Sequence, residues 1–371
     1  MRRKSYFIRI FVFLFIFILF FSFLSCFPQS LKGKRIKSFS IDLADCNFFN
    51  KKVVDKVVPE SSYILEFFIL LEDGKKITHP FSQDIILSSP NGTFTFEVNP
   101  LNQIYCYSTS DYLSLAEGNL FTIELSTIYE PEKKYYFEFL VDWYNLKDFE
   151  FKGKDGYDGT DGRDGHNGKD GTESSPAGTD GEDGTDGYNG GDGENGRSIN
   201  MDIAMYKADN ITGYYEDYFL ILYEKITKKI YVRPVNNFTV IDTSGGNGGD
   251  GGSPGKGGYG GKGYNGAPNG KKGADGKAGN PGRGGNAGNI FIHKPIGMPL
   301  EKYVKLIANK GKAGSSSYNV NIFNFPFYLI SFSNGAPEDG KDGIIVVLEL
   351  PLNSLFVDVQ NIYFDRAKLG F

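Results

Sequence analysis

The chain has 371 residues, enough for two or three domains. It carries 48 Gly, 32 Phe and 23 Tyr against one Trp, three Cys and three His. So few His and Cys argue against a zinc, haem or iron–sulfur protein, and a formal net charge of −5 argues against a nucleic-acid binder built on a basic face.

Residues 1–9 are basic, and residues 10–25 form an uncharged, almost wholly apolar run ending at Cys26. That pattern is a targeting segment and is set aside before the fold is considered. Phe23-Leu24-Ser25-Cys26 resembles the lipobox of bacterial lipoproteins, although the usual Leu three positions before the Cys is Phe23 here. The resemblance implies cleavage before Cys26 and a diacylglycerol on its thiol, with several acyl chains making a stable anchor. The alternative is an uncleaved signal anchor, slightly short of the ~20 residues that span a bilayer. Either form tethers the chain outside the cytoplasm, with the outer membrane or cell surface expected ahead of the periplasmic face.

Residues 26–36 read as a short polar tether. Cys46 and Cys106 are the remaining thiols, and in an exported domain an even pair suggests one disulfide, the alternative being two unpaired, partly buried thiols. From 37 to 150 the sequence alternates: SFSIDLA, SYILEFFILL, DIILSS, TFTFEVN, FTIELST and KYYFEFLVDW are separated by turn signals such as EDGKK and SPNG. Six or seven short strands at this spacing predict an antiparallel, Ig-like β-sandwich. Trp143 with Tyr135, Phe137 and Phe139 is expected to pack its core.

Beyond 150 the period changes from two to three. Glycine occupies every third position from 153 to 171, from 178 to 196, from 246 to 261 and from 270 to 288, giving four arms of nearly equal length. Residues 197–244 return to β-type sequence, read as two hairpins, and 289–371 reads as a C-terminal β segment. The Gly-x-y stretches, 153–196 and 246–288, resemble the collagen-like, glycine-rich repeat proteins of bacterial surfaces. A collagen triple helix needs three chains and is stabilised by Pro, whereas arms 1 and 2 contain none and arms 3 and 4 carry only Pro254 and Pro281. The competing structure is a bundle of polyglycine-II-like helices packed through their glycine rows within one chain. Equal arms joined by short breaks favour it, as does a second glycine row at 245, 248, 251, 257 and 260, which places arm 3 inside. Charge points the same way. Residues 153–196 hold nine Asp and three Glu against Lys154, Arg163 and Lys169, while residues 245–288 hold five Lys and Arg283 against Asp250 and Asp275. The remaining alternative is a disordered glycine-rich linker.

Candidate chemistry is thin. The Asp residues preceding glycine line up about 9 Å apart, too sparse for one arm to build a calcium cage, so loose divalent-cation binding to a solvated acidic face is the most they imply. His79, His166 and His293 fall in three different segments without metal spacing or a nucleophile motif. Gly255-Lys256-Gly257-Gly258-Tyr259-Gly260 fits the dinucleotide pattern by chance in so glycine-rich a tract. The loops between arms, 172–177 and 262–269, are the expected contact points, with Ser174, Ser175, Pro176, Tyr264, Asn265 and Pro268 as contact residues.

The sequence therefore predicts a mainly β, lipid-anchored, non-enzymatic surface protein without cofactor or nucleic-acid partner. Its expected role is structural or adhesive, toward an envelope, matrix or host partner, as a monomer. The alternatives are a carbohydrate- or peptide-binding module of a surface uptake system, a trimeric collagen-like stalk and, last, an enzyme.

Overall fold

The computed structural model describes residues 28–46, 52–118, 120–208, 218–315, 337–361 and 363–370. The expected signal segment and Cys26 lie outside them, as does the expected strand FYLISFS near the C-terminus. The protein is mainly β and divides into two compact units, Met1–Lys147 with Ala208–Asp217 in the first, and Asp148–Lys207 with Tyr218–Phe371 in the second.

Among the described residues the first unit holds ten strands, β1 (Ile36–Asp45), β2 (Val53–Val54), β3 (Lys56–Val57), β4 (Ser62–Leu71), β5 (Lys76–Ile77), β6 (Ile85–Ser88), β7 (Phe94–Val98), β8 (Ile104–Ser108), β9 (Phe121–Thr127) and β10 (Glu130–Val141), with one α-helical turn, α1 (Tyr112–Ala116), capped by the Asp111 carboxylate. Among the described residues one sheet runs β2-β1-β4-β8-β7 with β5 on β4, and the other runs β3-β10-β9-β6. Alternation does the packing. Phe121, Ile123 and Leu125 of β9 are fully buried, and Tyr63, Leu65, Phe67 and Ile69 of β4 turn to the same interior. Across it Phe94 meets Phe121 at 5.2 Å and Phe39 meets Tyr135 edge-on at 4.8 Å. Trp143 is buried. The sheets are antiparallel except at β3, which runs parallel to β10.

Two expectations fail in this unit. The stretch from Pro28 to Arg35 is built into the sandwich rather than left as a tether: Leu31 is fully buried and its N–H donates to the buried Asp84 carboxylate at 2.7 Å. Tyr129 donates to the other oxygen of Asp84 at 3.0 Å, so one carboxylate pins the entry segment to the fold. The disulfide is absent, because Cys46 and Cys106 are free thiols. Asp45 pairs with Tyr63 and Tyr63 with Cys106, so β4 lies between the two cysteines. Two strand spacings are about 9.6 Å, beyond the ~7 Å that a disulfide can bridge. Burial pushes the Cys106 thiol up to about 12. Alkylation of the folded chain at pH 8 should label Cys46, which is exposed, and reach Cys106 only after unfolding; mass mapping of the modified peptides checks this.

The second unit contains β11 (Ile199–Lys207), β12 (Tyr218–Glu224), β13 (Lys229–Pro234), β14 (Thr239–Asp242), β15 (Ile290–Pro295), β16 (Val304–Ile307), β17 (Ile345–Leu350) and β18 (Leu369–Gly370). The expected pair of hairpins in 197–244 is instead a β11-β12-β13 meander, and β14 leaves it to pair in parallel with β16. On the other side of β11 lie β15 and then β17, both parallel to it.

The Gly-x-y segments connect these strands and lie outside helix and strand. Arm 2 runs antiparallel to arm 1 (Glu182 N–H to the His166 carbonyl, Glu194 N–H to the Lys154 carbonyl, both 2.9 Å). Arm 3 runs antiparallel to arm 2, and arm 4 to arm 3, through the N–H groups of glycines at every third residue. The C-terminal β segment holds two further short arms, 308–315 and 337–343. Gly248 donates to Lys312 and Gly311 to Gly285, while Gly284 donates to Glu338 and Gly340 to Gly311. With only Gly311 and Gly314 in one and Gly340 and Gly343 in the other, neither shows a period in the sequence. Arm 3 thus hydrogen-bonds to arms 1, 2, 4 and 5.

Arms 1, 3 and 5 run one way and arms 2, 4 and 6 the other, and each parallel set passes into a sheet in unchanged register. Asp180 of arm 2 meets Lys271 of arm 4 at an offset of 91 residues, and Asn286 meets Lys341 of arm 6 at an offset of 55. Ile199 on β11, Ile290 on β15 and Ile345 on β17 keep those offsets. Asn247 and Lys312 are 65 residues apart, the offset of Thr239 on β14 from Val304 on β16. A single apolar core, including Phe151, Met201, Leu222, Ile241, Ile292 and Val304, closes this end. Strand pairing here is inherited from arm pairing, which is why hairpin rules misassign it.

Candidate functional site

Glycine in the arms is a matter of room rather than conformation, since their φ values are not positive. A Cβ on any arm glycine except Gly191 would stand 1.8–2.3 Å from a backbone atom of another segment, in most cases another arm. Gly191 differs: its nearest neighbour is the Tyr157 ring, which is exposed and free to swing away.

The residues before glycine have a second task. Asp155 Oδ1 accepts the N–H of Asn247 at 2.7 Å, and the next residue, Gly156, donates its own N–H to the carbonyl of that same Asn247 at 2.7 Å. This two-point clamp recurs along arm 1 at Asp158, Asp161, Asp164, Asn167 and Asp170, each gripping arm 3. Arm 2 grips arm 4 in the same way with Asp180, Asp183, Asp186, Asn189, Asp192 and Asn195. Asn247 and Asp250 of arm 3 then take hold of arm 5, and Asn286 of arm 4 takes hold of arm 6. A short side chain ending in a carbonyl-type oxygen is what reaches across, and Asp and Asn serve equally.

The charge difference between arms acts through this backbone contact. The acidic columns meet the N–H groups of Lys256, Lys262, Lys271, Lys277 and Arg283, while among the described residues ion pairs form at Lys272–Asp275 within arm 4 and at Lys310–Asp339 between arms 5 and 6. Acidic arms do pair with basic ones, arm 1 with arm 3 and arm 2 with arm 4; their carboxylates do so by accepting backbone N–H groups, which corrects the expectation of a merely solvated acidic face. Among the described residues no group of three His, Cys, Asp or Glu is placed to hold a metal ion.

Hydrogen bonding also sets the acid response. The Ser315 N–H holds the Asp250 carboxyl below its ordinary value of 3.8; the Lys272 ammonium and the Gly257 N–H do so for Asp275, and the Ala313 N–H and Lys310 for Asp339. A depressed folded value contributes stability that is present above the unfolded value and is lost as pH falls through the folded one. The contacts made by Asp250, Asp275 and Asp339 should therefore loosen below about pH 4. Amide exchange at Ser315 and Ala313, corrected for intrinsic rates, should quicken there, and Asp250→Asn should remove the pH dependence at Ser315 while keeping its protection.

The two loops expected to make contact lie side by side. The Tyr264 N–H donates to the Pro176 carbonyl at 2.8 Å, and Gly178 to the Pro268 carbonyl at 3.0 Å. Ser174, Ser175 and Pro176 are exposed around a tight Thr172–Ser175 turn, and Tyr264 and Asn265 are exposed beside them, with Asn265 and Gly266 at positive φ. Pro268 is exposed too and takes part through its carbonyl.

Two features carry no local sequence signal. The first is Asp202 on β11, fully buried, which accepts Lys225 Nζ at 2.7 Å, His293 Nδ1 at 3.0 Å and the Phe356 N–H at 2.7 Å. Only the β11-β12-β15 pairing brings those partners together. The second is a cavity of about 330 Å³ on the first unit. Strand β4 pairs with β8 as far as Leu65 and with β5 from Ile69 onward, so Glu66, Phe67 and Phe68 face a gap between the two. Thr78–Pro80 and Leu101–Gln103 splay apart around that gap, and Pro28 closes one side. Asn102, at φ +62°, staples the rim by accepting the Ser82 N–H at 2.8 Å and donating to the Pro80 carbonyl at 2.9 Å.

Among the described residues no helix is long and apolar enough to cross a membrane. Comparison with known protein families, with curated proteins and with solved structures finds no match to this chain.

Proposed function

We propose that this is an exported, lipid-anchored, non-enzymatic surface protein whose glycine-rich arms form a polyglycine-II-type bundle within one chain and serve a structural or adhesive role. One observation carries the reading: the arm glycines direct their N–H groups to carbonyls of other arms of the same chain, which leaves a three-chain collagen assembly nothing to add. Cys26 would hold the lipid, and the paired loops at 172–177 and 262–269 would meet an envelope, matrix or host partner. Light scattering after size exclusion tests the bundle. Residues 27–371 should elute as a monomer, and a trimer would return the collagen-type stalk.

A second reading, a carbohydrate- or peptide-binding module carried by the sandwich, is favoured by the cavity between β5 and β8.

A further inference from the structure

We infer that the cavity on the first unit is a binding site for a single neutral saccharide ring; the inference rests on the second reading above and names its ligand. The walls supply two kinds of surface. Ile64, Leu101 and Phe68 are apolar, and Phe68 is 42 % exposed beside the gap, an aromatic surface for the C–H side of a sugar. Glu66, His79 and Gln103 are polar. The Gln103 side-chain oxygen already accepts from Asn99 at 2.9 Å, which leaves its NH2 group for a ligand oxygen. His79 binds Thr78 Oγ1 through Nδ1 at 3.0 Å, which leaves Nε2 for a second hydroxyl. An amide and an imidazole together donate and accept, as a hydroxyl does.

Charge narrows the class. Among the described residues no Lys or Arg lines the cavity, so phosphate, sulfate and carboxylate ligands are disfavoured. Size narrows it again, since about 330 Å³ is at the small end of ligand sites and suits one ring rather than a chain. An extended peptide fits poorly. The gap is three residues long and both its ends are closed by the chain leaving β5 and entering β8, so a strand has no way through.

The test is saturation-transfer NMR on the full chain in a sugar-free zwitterionic detergent. The probes are methyl β-glucoside, methyl β-galactoside, methyl α-mannoside and N-acetylglucosamine, with N-acetyl-phenylalanine methylamide as the peptide probe. Transfer to at least one sugar, weakened tenfold or more by Phe68→Ala and by Gln103→Ala at unchanged thermal unfolding, is the expected result. Sugar binding that survives both substitutions places the site elsewhere and overturns the inference. Transfer to the peptide probe alone overturns the sugar assignment and leaves the second reading standing. Silence from every probe removes both.

Discussion

Replacing Gly252 by alanine should cost about 3 kcal/mol or more and lower the unfolding temperature of the second unit by on the order of 10 °C. Its new Cβ would stand 2.0 Å from the Thr160 carbonyl oxygen, 2.6 Å from the carbonyl carbon and 3.1 Å from the Tyr188 nitrogen, all of them backbone. No side chain can rotate out of the way, so the arms themselves must part. Gly252 also donates to Tyr188 at 2.9 Å and accepts from Gly279 at 2.8 Å, so separation loosens two hydrogen bonds at once. Gly191→Ala is the control. It lies in the same array, but there only the exposed Tyr157 ring has to move, and the change should stay within about 0.5 kcal/mol. Thermal melts of the two variants, followed by circular dichroism, separate the effects. Equal losses would mean that glycine matters through conformational preference and not through contact.

Asp202→Ala should cost about 3–5 kcal/mol, because it removes one side of a buried charge network and leaves the rest. Lys225 would lose its 2.7 Å partner in a largely buried position, and the Phe356 N–H would have no acceptor. Phe356 sits at φ +56°, unusual for an aromatic residue, and is 1 % exposed against Tyr223 and Phe364. Arg366 holds the same turn from the other side through the carbonyls of Asn353, Leu355 and Phe356. Losing Asp202 should therefore free the C-terminal segment before the sheet fails. Urea unfolding gives the global loss, and early amide exchange at Phe356 shows the local one. An unchanged urea midpoint would show that the network adds nothing net.

The strands of the first unit were legible because each buries one face, and period two survives in SYILEFFILL and FTIELST. The four long arms were legible from glycine phase. What the phase could not convey was pairing, since β14 meets β16 and β11 meets β15 through arms that intervene in the chain. Arms 5 and 6 were missed for want of glycines, yet Asp339-Gly340 and Asp342-Gly343 carry the same dipeptide as Asp155-Gly156. Reading Asp-Gly and Asn-Gly as a pairing mark, and not as an acidic face, would have found arm 6. Asp202 and the β4 gap depend on which strands become neighbours, and nothing local in the sequence announces that.

The clamps also impose a reading frame on the fold. Each grip recurs every third residue and holds two arms at one fixed offset, 92 residues between arms 1 and 3 and 91 between arms 2 and 4. Adding one residue within an arm puts every later glycine out of phase with all its neighbours at once. Adding a whole triplet to one arm still shifts it against partners that have not grown. Length can change only in threes, and only where 1 and 2 lengthen together with 3 and 4 beside the loops. Descendants of this chain would then differ by concerted multiples of three residues in the arms while single insertions collect in the turns.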